Sequence, residues 1–132
     1  MVVMEQAICL DSDVLVHFLR NNQEVQQQIM KLEEHSDLCT TDINISELYY
    51  GAIMRSSKEV IRLERLLGRL HILPLTSNSA RMTGSIRAGL ANKCWTLDFR
   101  DIMIAAIAIE NNCKVFTLKK SHFERIPDLE LI

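Results

Sequence analysis

The strongest constraint on the fold is an alternation of short apolar runs with longer segments of helical periodicity. Strands that are separated by helices form mainly parallel sheets with helices on both faces. We therefore predict a single α/β domain over residues 1–132, with three layers and four to five short strands. The predicted strands are residues 7–10, 38–40, 71–75 and 115–118, and the short segment 129–132 is the candidate for a fifth.

The segments between these runs show the 3.6-residue periodicity of helices. A helix follows the first strand directly, and others are predicted at 24–34, 58–70 and 79–92. Thr41 or Asp42 can cap a further helix, because each side chain can accept from a free backbone N–H of the first turn. The run IMIAAIAI after Asp98 and Asp101 is apolar on nearly all sides, which predicts a central buried helix.

Composition limits the functional classes. A chain of 132 residues with 48% hydrophobic and 24% charged residues can bury a core, and its net charge of −2 argues against nucleic-acid binding through a broad positive field. Cys9, Cys39, Cys94 and Cys113 form no CxxC pair, so we predict buried thiols in a reducing cytosol. The N-terminus lacks a basic segment ahead of its apolar residues, and no apolar stretch approaches bilayer length. We therefore predict a cytoplasmic location without membrane contact.

Three acidic residues stand where a parallel sheet would bring them to one end. Asp11 follows the first strand, Glu47 falls in the helix after the second, and Asp101 begins the apolar helix. Ligand sites in such folds lie at the carboxyl ends of the strands. Packed carboxylates take up a proton or hold a cation, and hard oxygen ligands favour Mg²⁺ or Mn²⁺ over zinc. The sequence thus predicts a magnesium or manganese site, which Asp98 can join from the same face of the helix as Asp101.

Each acid also has an ordinary structural interpretation. Asp11 and Asp98 can serve as helix N-caps, Glu47 can be a solvated helix residue, and Asp101 can complete a capping box with Asp98. The histidines lie on separate elements without metal-ligand spacing, which argues against histidine catalysis. They are His17, His35, His71 and His122.

Several segments resemble the motifs of PIN domains. They are ICLDSDVL at 8–15, ISELYYGA at 45–52, DFRDIMIAA at 98–106, and VFT at 115–117 followed by HFERIP at 122–127. The resemblance runs in order over essentially the whole chain. It implies the PIN α/β fold, with Asp11, Glu47 and Asp101 as the acids that bind a divalent metal for RNA cleavage.

At this length the resemblance also implies the VapC toxins, which are commonly homodimers inhibited by a small VapB-like antitoxin. One departure from the family lies after Thr117, where PIN domains often carry Asn or Asp and this chain reads Leu118-Lys119-Lys120-Ser121. A lysine there can contact phosphate or weaken a second metal site, so the number of metal ions stays open.

Supporting roles can be assigned on the same basis. Ser12, Asp13 and Asn44 are the candidates to orient the metal ligands, since hydrogen bonds behind the ligands hold them in place. Basic residues near the C-terminal end are candidates to contact RNA phosphates or, alternatively, form a solvated turn. They are Lys119, Lys120 and Arg125.

Two other functions are kept as alternatives. The string Asp11-Ser12-Asp13-Val14 resembles the start of haloacid-dehalogenase phosphatases, in which the first Asp is the nucleophile. A catalytically silent domain that binds RNA or protein is the other. Around Tyr49, Tyr50, Ile53 and Met54 the apolar side chains can form either core or an interface for an antitoxin helix or a second copy.

Overall fold

The computed structural model describes residues 5–132. Its centre is a four-stranded, wholly parallel sheet in the order β3-β2-β1-β4. The strands are β1 (Ile8–Leu10), β2 (Leu38–Thr41), β3 (His71–Leu73) and β4 (Lys114–Phe116). The predicted α/β class and the parallel sheet are confirmed. The fifth strand is reduced to one parallel bridge between Val115 and Leu131.

Seven helices lie within residues 5–132. They are α1 (Ser12–Leu19), α2 (Gln23–Glu33), α3 (Asp42–Arg55), α4 (Ser57–Leu67), α5 (Ser77–Asn92), α6 (Phe99–Glu110) and α7 (Lys120–Phe123). The helix α4 ends earlier than predicted because Gly68 forms its C-cap. The helix α5 begins earlier because Thr76 caps it, with Ser79 returning the bond to the cap backbone. The short α7 was not predicted.

The strands alternate their side chains between two cores, which accounts for the three layers. Ile8 and Leu10 of β1 pack with α1, α2, α3 and α4 on one face, whereas Cys9 packs with Ala108 of α6 on the other. A third cluster joins Ile104 and Ala105 of α6 to α7 and the C-terminal segment. The helix α6 is buried along most of its length, as its apolar sequence predicted.

All four cysteines are free, as expected, but the prediction that all are buried is wrong for Cys94. Cys94 lies in the turn after α5 and is exposed, whereas Cys9, Cys39 and Cys113 lie in the core beside the sheet. Burial raises the pKa of the Cys9 thiol. Within residues 5–132, no helix combines the length and the apolar character needed to cross a bilayer.

An apolar patch lies on the outer side of α3. Tyr50, Ile53 and Met54 recur at i, i+3 and i+4, so they share one face of the helix. Their side chains are 71%, 64% and 70% exposed. Tyr49 instead packs against the core. The core interpretation therefore holds for Tyr49 and is wrong for the three residues that form this patch.

Candidate active site

The candidate site lies at the carboxyl edge of the sheet, where three adjacent parallel strands end. Asp11 directly follows β1, Thr41 ends β2 and Thr117 directly follows β4. All three side chains are buried. Since β2, β1 and β4 are neighbours in that order, the topology alone brings these residues together from positions far apart in the chain.

Asp11 is held by donors from three parts of the chain. Its Oδ1 accepts from the backbone N–H of Ser12 at 2.8 Å and from Nδ2 of Asn44 at 3.1 Å. Its Oδ2 accepts from Oγ1 of Thr117 at 2.8 Å. Asp11 is thus the N-cap of α1, as the structural interpretation held, and it also lies at the centre of the site.

The electrostatics of Asp11 reflect its burial. Burial and the nearby charge of Asp13 raise the pKa of Asp11, and they outweigh the hydrogen bond from Thr117 and the charge of Lys119, which act in the opposite direction. A buried carboxylate whose charge is disfavoured in this way gains from the approach of a cation.

Glu47 is joined to Asp11 through two polar side chains. Ser12 donates its hydroxyl to Oε1 of Glu47 at 3.0 Å, and Nδ2 of Asn44 donates to that same hydroxyl oxygen at 2.8 Å. Asn44 is fully buried and also forms a capping box with Thr41 at the start of α3. These contacts support the orienting roles predicted for Ser12 and Asn44.

Asp13 fixes the loop after β4. Its Oδ2 accepts from the backbone N–H of Leu118 at 3.2 Å and lies 3.5 Å from the hydroxyl of Thr117. Thr117 therefore links Asp13 and Asp11, and the start of the loop that carries Lys119 is tied to the first turn of α1.

Asp101 is buried in the first turn of α6 and already contacts a cation. Its Oδ1 accepts from Nζ of Lys119 at 3.0 Å, and its Oδ2 lies 3.3 Å from Nδ1 of His122. The same ammonium lies 4.0 Å from Oδ2 of Asp11. Burial of Lys119 disfavours its charge, but the hydrogen bond to Asp101 and the charges of Asp11 and Asp13 outweigh this and raise its pKa.

Asp98 has a different environment from Asp101. It is the N-cap of α6, with a side chain 42% exposed, and it accepts from the guanidinium of Arg100 at 2.9 Å. Arg100 also lies 3.6 Å from Oε2 of Glu47. The hydrogen bonds from Arg100 hold the pKa of Asp98 below its usual range. The capping interpretation of Asp98 is therefore confirmed, while a role in metal binding stays a prediction.

The joint metal site of Asp11, Glu47 and Asp101 stays a prediction. Among residues 5–132, no group of three or more Asp, Glu, His or Cys side chains is arranged to hold a metal ion. Lys119 and Arg100 pair with the carboxylates instead. The donor chemistry nevertheless fits a hard divalent cation, because buried carboxylate oxygens of Asp11 and Asp101 already share one positive charge.

Three residues of this site were missed by sequence reasoning. Thr117 carries a hydroxyl near the end of a predicted strand, and that position could have indicated a site residue. Arg100 and His122 carried no such signal, because their contacts depend on how long side chains reach across the site. Of the predicted RNA contacts, Lys120 is exposed and Arg125 lies over the ring of Trp95 at 5.1 Å.

Known proteins match this chain over nearly its whole length. The model of the PIN domain matches residues 8–129. The tRNA(fMet)-specific endonuclease VapC of Salmonella typhimurium is 31% identical over 124 residues, which cover 92% of this chain and 93% of that protein. Ribonuclease VapC2 of Rickettsia felis is 26% identical over 125 residues, with the same coverage of each chain.

A solved structure gives the same picture for the fold. The DNA-bound VapBC of Salmonella typhimurium contains a chain that superposes with a TM-score of 0.85 at 29% identity. The match covers 97% of this chain and 98% of that one.

Proposed function

This chain belongs to the PIN domain family, and from that membership and its VapC relatives we infer that it is a VapC-type endoribonuclease. It is a hydrolase that cleaves phosphodiester bonds. The observation that ties this activity to a place in the molecule is the pair of buried carboxylates, Asp11 and Asp101, which come from distant elements and share one cation at the carboxyl edge of the sheet.

We assign metal binding to Asp11, Glu47 and Asp101, with Asp98 as an outer candidate and Mg²⁺ or Mn²⁺ as the ion. A divalent cation, when bound, lowers the pKa of a water and offsets the charge of the attacked phosphate. The assignment is supported by the burial of Asp11 and Asp101 and by the hydrogen-bonded path from Glu47 through Ser12 and Asn44.

The remaining side chains position these ligands. Ser12 and Asn44 connect Glu47 to Asp11, because the Ser12 hydroxyl donates to Glu47 and the Asn44 amide donates both to that hydroxyl and to Asp11. Thr117 and the backbone N–H of Ser12 orient the Asp11 carboxylate, because each donates a hydrogen bond to it. Lys119, Lys120 and Arg125 remain our proposed contacts to RNA phosphates, and their loss should lower the salt dependence of binding.

The first RNA to test is initiator tRNA. The Salmonella relative is named for its specificity toward tRNA(fMet), and it is 31% identical over nearly the full length of both chains. We propose a structured RNA of that class as the substrate, acted on in the cytoplasm. An elongator methionine tRNA is the matched comparison, because it shares the anticodon and differs elsewhere.

The deciding experiment is cleavage of several RNAs by purified protein with and without Mg²⁺. Asp11→Asn and Asp101→Asn are expected to abolish metal-dependent cleavage while leaving the circular dichroism spectrum unchanged. Asp37→Asn is the control, because Asp37 is an exposed acid before β2 at the opposite edge of the sheet. Full activity in either site variant would remove its proposed role. Hydrolysis of a small phosphomonoester without action on RNA would favour the phosphatase alternative.

The partner that we propose is a VapB-like antitoxin, in keeping with the VapBC assembly of the structural relative. The exposed apolar patch of α3 formed by Tyr50, Ile53 and Met54 supports a protein interface there. We propose that this patch takes part in a homodimer. Ile53→Glu should convert a dimer to a monomer in light scattering, and an unchanged mass would place the dimer face elsewhere.

A further inference from the structure

A lysine lies at the centre of this acidic site, where it has a role distinct from RNA contact. Lys119 contacts the two buried carboxylates that come from different elements, Asp101 at 3.0 Å and Asp11 at 4.0 Å. Its side chain is 34% exposed, whereas those of Asp11 and Asp101 are 1% and 3% exposed. The ammonium therefore enters from solvent and ends at the buried pair.

We propose that Lys119 is a built-in cation that occupies the metal-binding position and that a divalent ion must displace. The inference rests on the proposed function, since it concerns the same carboxylates. It makes Lys119 a positioning residue that sets the affinity for metal, because every metal-binding event has to break its hydrogen bond to Asp101.

The charge balance at the site favours this competition. Two buried carboxylates close to one cation repel each other when that cation is removed. Lys119 supplies the cation in the metal-free protein, and it can withdraw because its stem is partly exposed and flexible. A divalent ion and the ammonium would repel each other at this distance, so the two cannot occupy the site together.

A second cation offsets the charge of other acids in the site. Arg100 pairs with the two outer acids, Glu47 at 3.6 Å and Asp98 at 2.9 Å. Lys119 contacts the inner pair, which is Asp11 and Asp101. Within the part of the chain described, Lys119 is the ammonium or guanidinium in contact with the inner pair. Removing its charge should therefore affect metal binding at Asp11 and Asp101 specifically.

The test is the affinity for Mn²⁺ in the absence of RNA, measured by calorimetry on the wild type, Lys119→Met and Lys120→Met. Methionine keeps most of the length of the side chain and removes the charge. We expect Lys119→Met to bind Mn²⁺ about ten-fold more tightly, as expected for one charge-assisted hydrogen bond that no longer has to be broken. Lys120→Met removes the same charge from an exposed neighbour and should change the affinity less than about two-fold.

A second measurement uses thermal stability. Without metal, Lys119→Met should melt roughly 5 °C below the wild type, because Asp11 and Asp101 lose their counter-ion. Saturating Mn²⁺ should then raise its melting temperature by more than it raises that of the wild type. If Lys119→Met fails to fold, Lys119→Gln serves in its place, because glutamine retains a donor to Asp101 without the charge.

The outcomes separate this inference from the proposed function. Equal or weaker Mn²⁺ binding by Lys119→Met, with metal-dependent RNA cleavage intact in the wild type, would overturn the inference and leave the nuclease assignment standing. Failure of both the wild type and Lys119→Met to bind Mn²⁺, together with absence of RNA cleavage, would overturn the proposed metal site itself.

Discussion

Asn44 is the buried amide that joins the first turn of α3 to the end of β1, and we predict that Asn44→Ala destabilises the protein and weakens its catalytic site together. Its side chain makes four hydrogen bonds, to the backbone and hydroxyl of Thr41, to Oδ1 of Asp11 and to the hydroxyl of Ser12. Asn44 thereby connects α3 to the ends of two strands, to Thr41 of β2 and to Asp11 after β1.

The magnitude follows from those four bonds. A neutral hydrogen bond contributes about 1 kcal/mol net, and one to a charged group about 1.5 to 3 kcal/mol. Water that enters the space left by the amide recovers part of this, so we expect a loss of about 3 to 5 kcal/mol in the free energy of unfolding. For a domain of this length the melting temperature should fall by roughly 10 to 15 °C.

The assay pairs urea denaturation with RNA cleavage at a temperature where the variant remains folded. Because Asp11 and Ser12 each lose a donor, metal affinity or cleavage should fall about 10-fold to 100-fold. Asn22→Ala is the matched control, since Asn22 is an exposed N-cap that accepts one bond from Val25. It should cost about 1 kcal/mol and leave cleavage unchanged.

The reasoning would be refuted if Asn44→Ala unfolded within about 1 kcal/mol of the wild type. Normal cleavage by a destabilised Asn44→Ala would be a different failure. It would show that the amide stabilises α3 without orienting Asp11.

Three other predictions concern the core, the pH dependence and the outer acid. Leu63→Ala should lower the free energy of unfolding by about 2 to 5 kcal/mol, because Leu63 is fully buried, and the cleavage rate of the folded fraction should not change. Burial raises the pKa of Asp11, so the free energy of unfolding of the metal-free protein should fall as pH rises through the carboxyl range. Denaturation of Asp11→Asn at several pH values should show a smaller fall, and a pH profile identical to that of the wild type would contradict the prediction. Asp98→Ala should cost about 1 kcal/mol through the lost cap of α6 and retain more cleavage than Asp101→Asn, and equal inactivity of the two would assign Asp98 to the metal site.

Much of the fold was accessible from the sequence because its signals are local. Short apolar runs separated by amphipathic helices predicted the parallel sheet, and Asp11, Thr41 and Asp98 are N-caps as their positions suggested. The third strand is shorter than predicted. It ends at Leu73, and Pro74 cannot donate to a ladder.

The site was predictable only in part, and the reason is again physical. Asp11 and Thr117 follow the adjacent strands β1 and β4, so the strand order alone places them side by side, independently of the neighbouring side chains. Arg100, Lys119 and His122 reach their partners through flexible side chains, and their contacts depend on which carboxylates most need a counter-charge. Sequence spacing carries no information on that competition.

The pairing of Lys119 and Arg100 with carboxylates also bears on how a chain with a negative net charge can bind RNA. A pocket of several carboxylates would repel an RNA backbone, and a chain with net charge −2 has no broad positive field to overcome the repulsion. Here the positive groups are placed at the acids themselves, with Lys119 on the inner pair and Arg100 on the outer pair. RNA therefore approaches a site whose negative charge is partly offset, and a cation released from its carboxylate becomes available to a phosphate at the same position. On this argument, removing the charge of Lys119 should strengthen metal binding and weaken RNA binding. A Lys119 variant that bound both metal and RNA more tightly would show that the ammonium does not pass from the carboxylates to a phosphate.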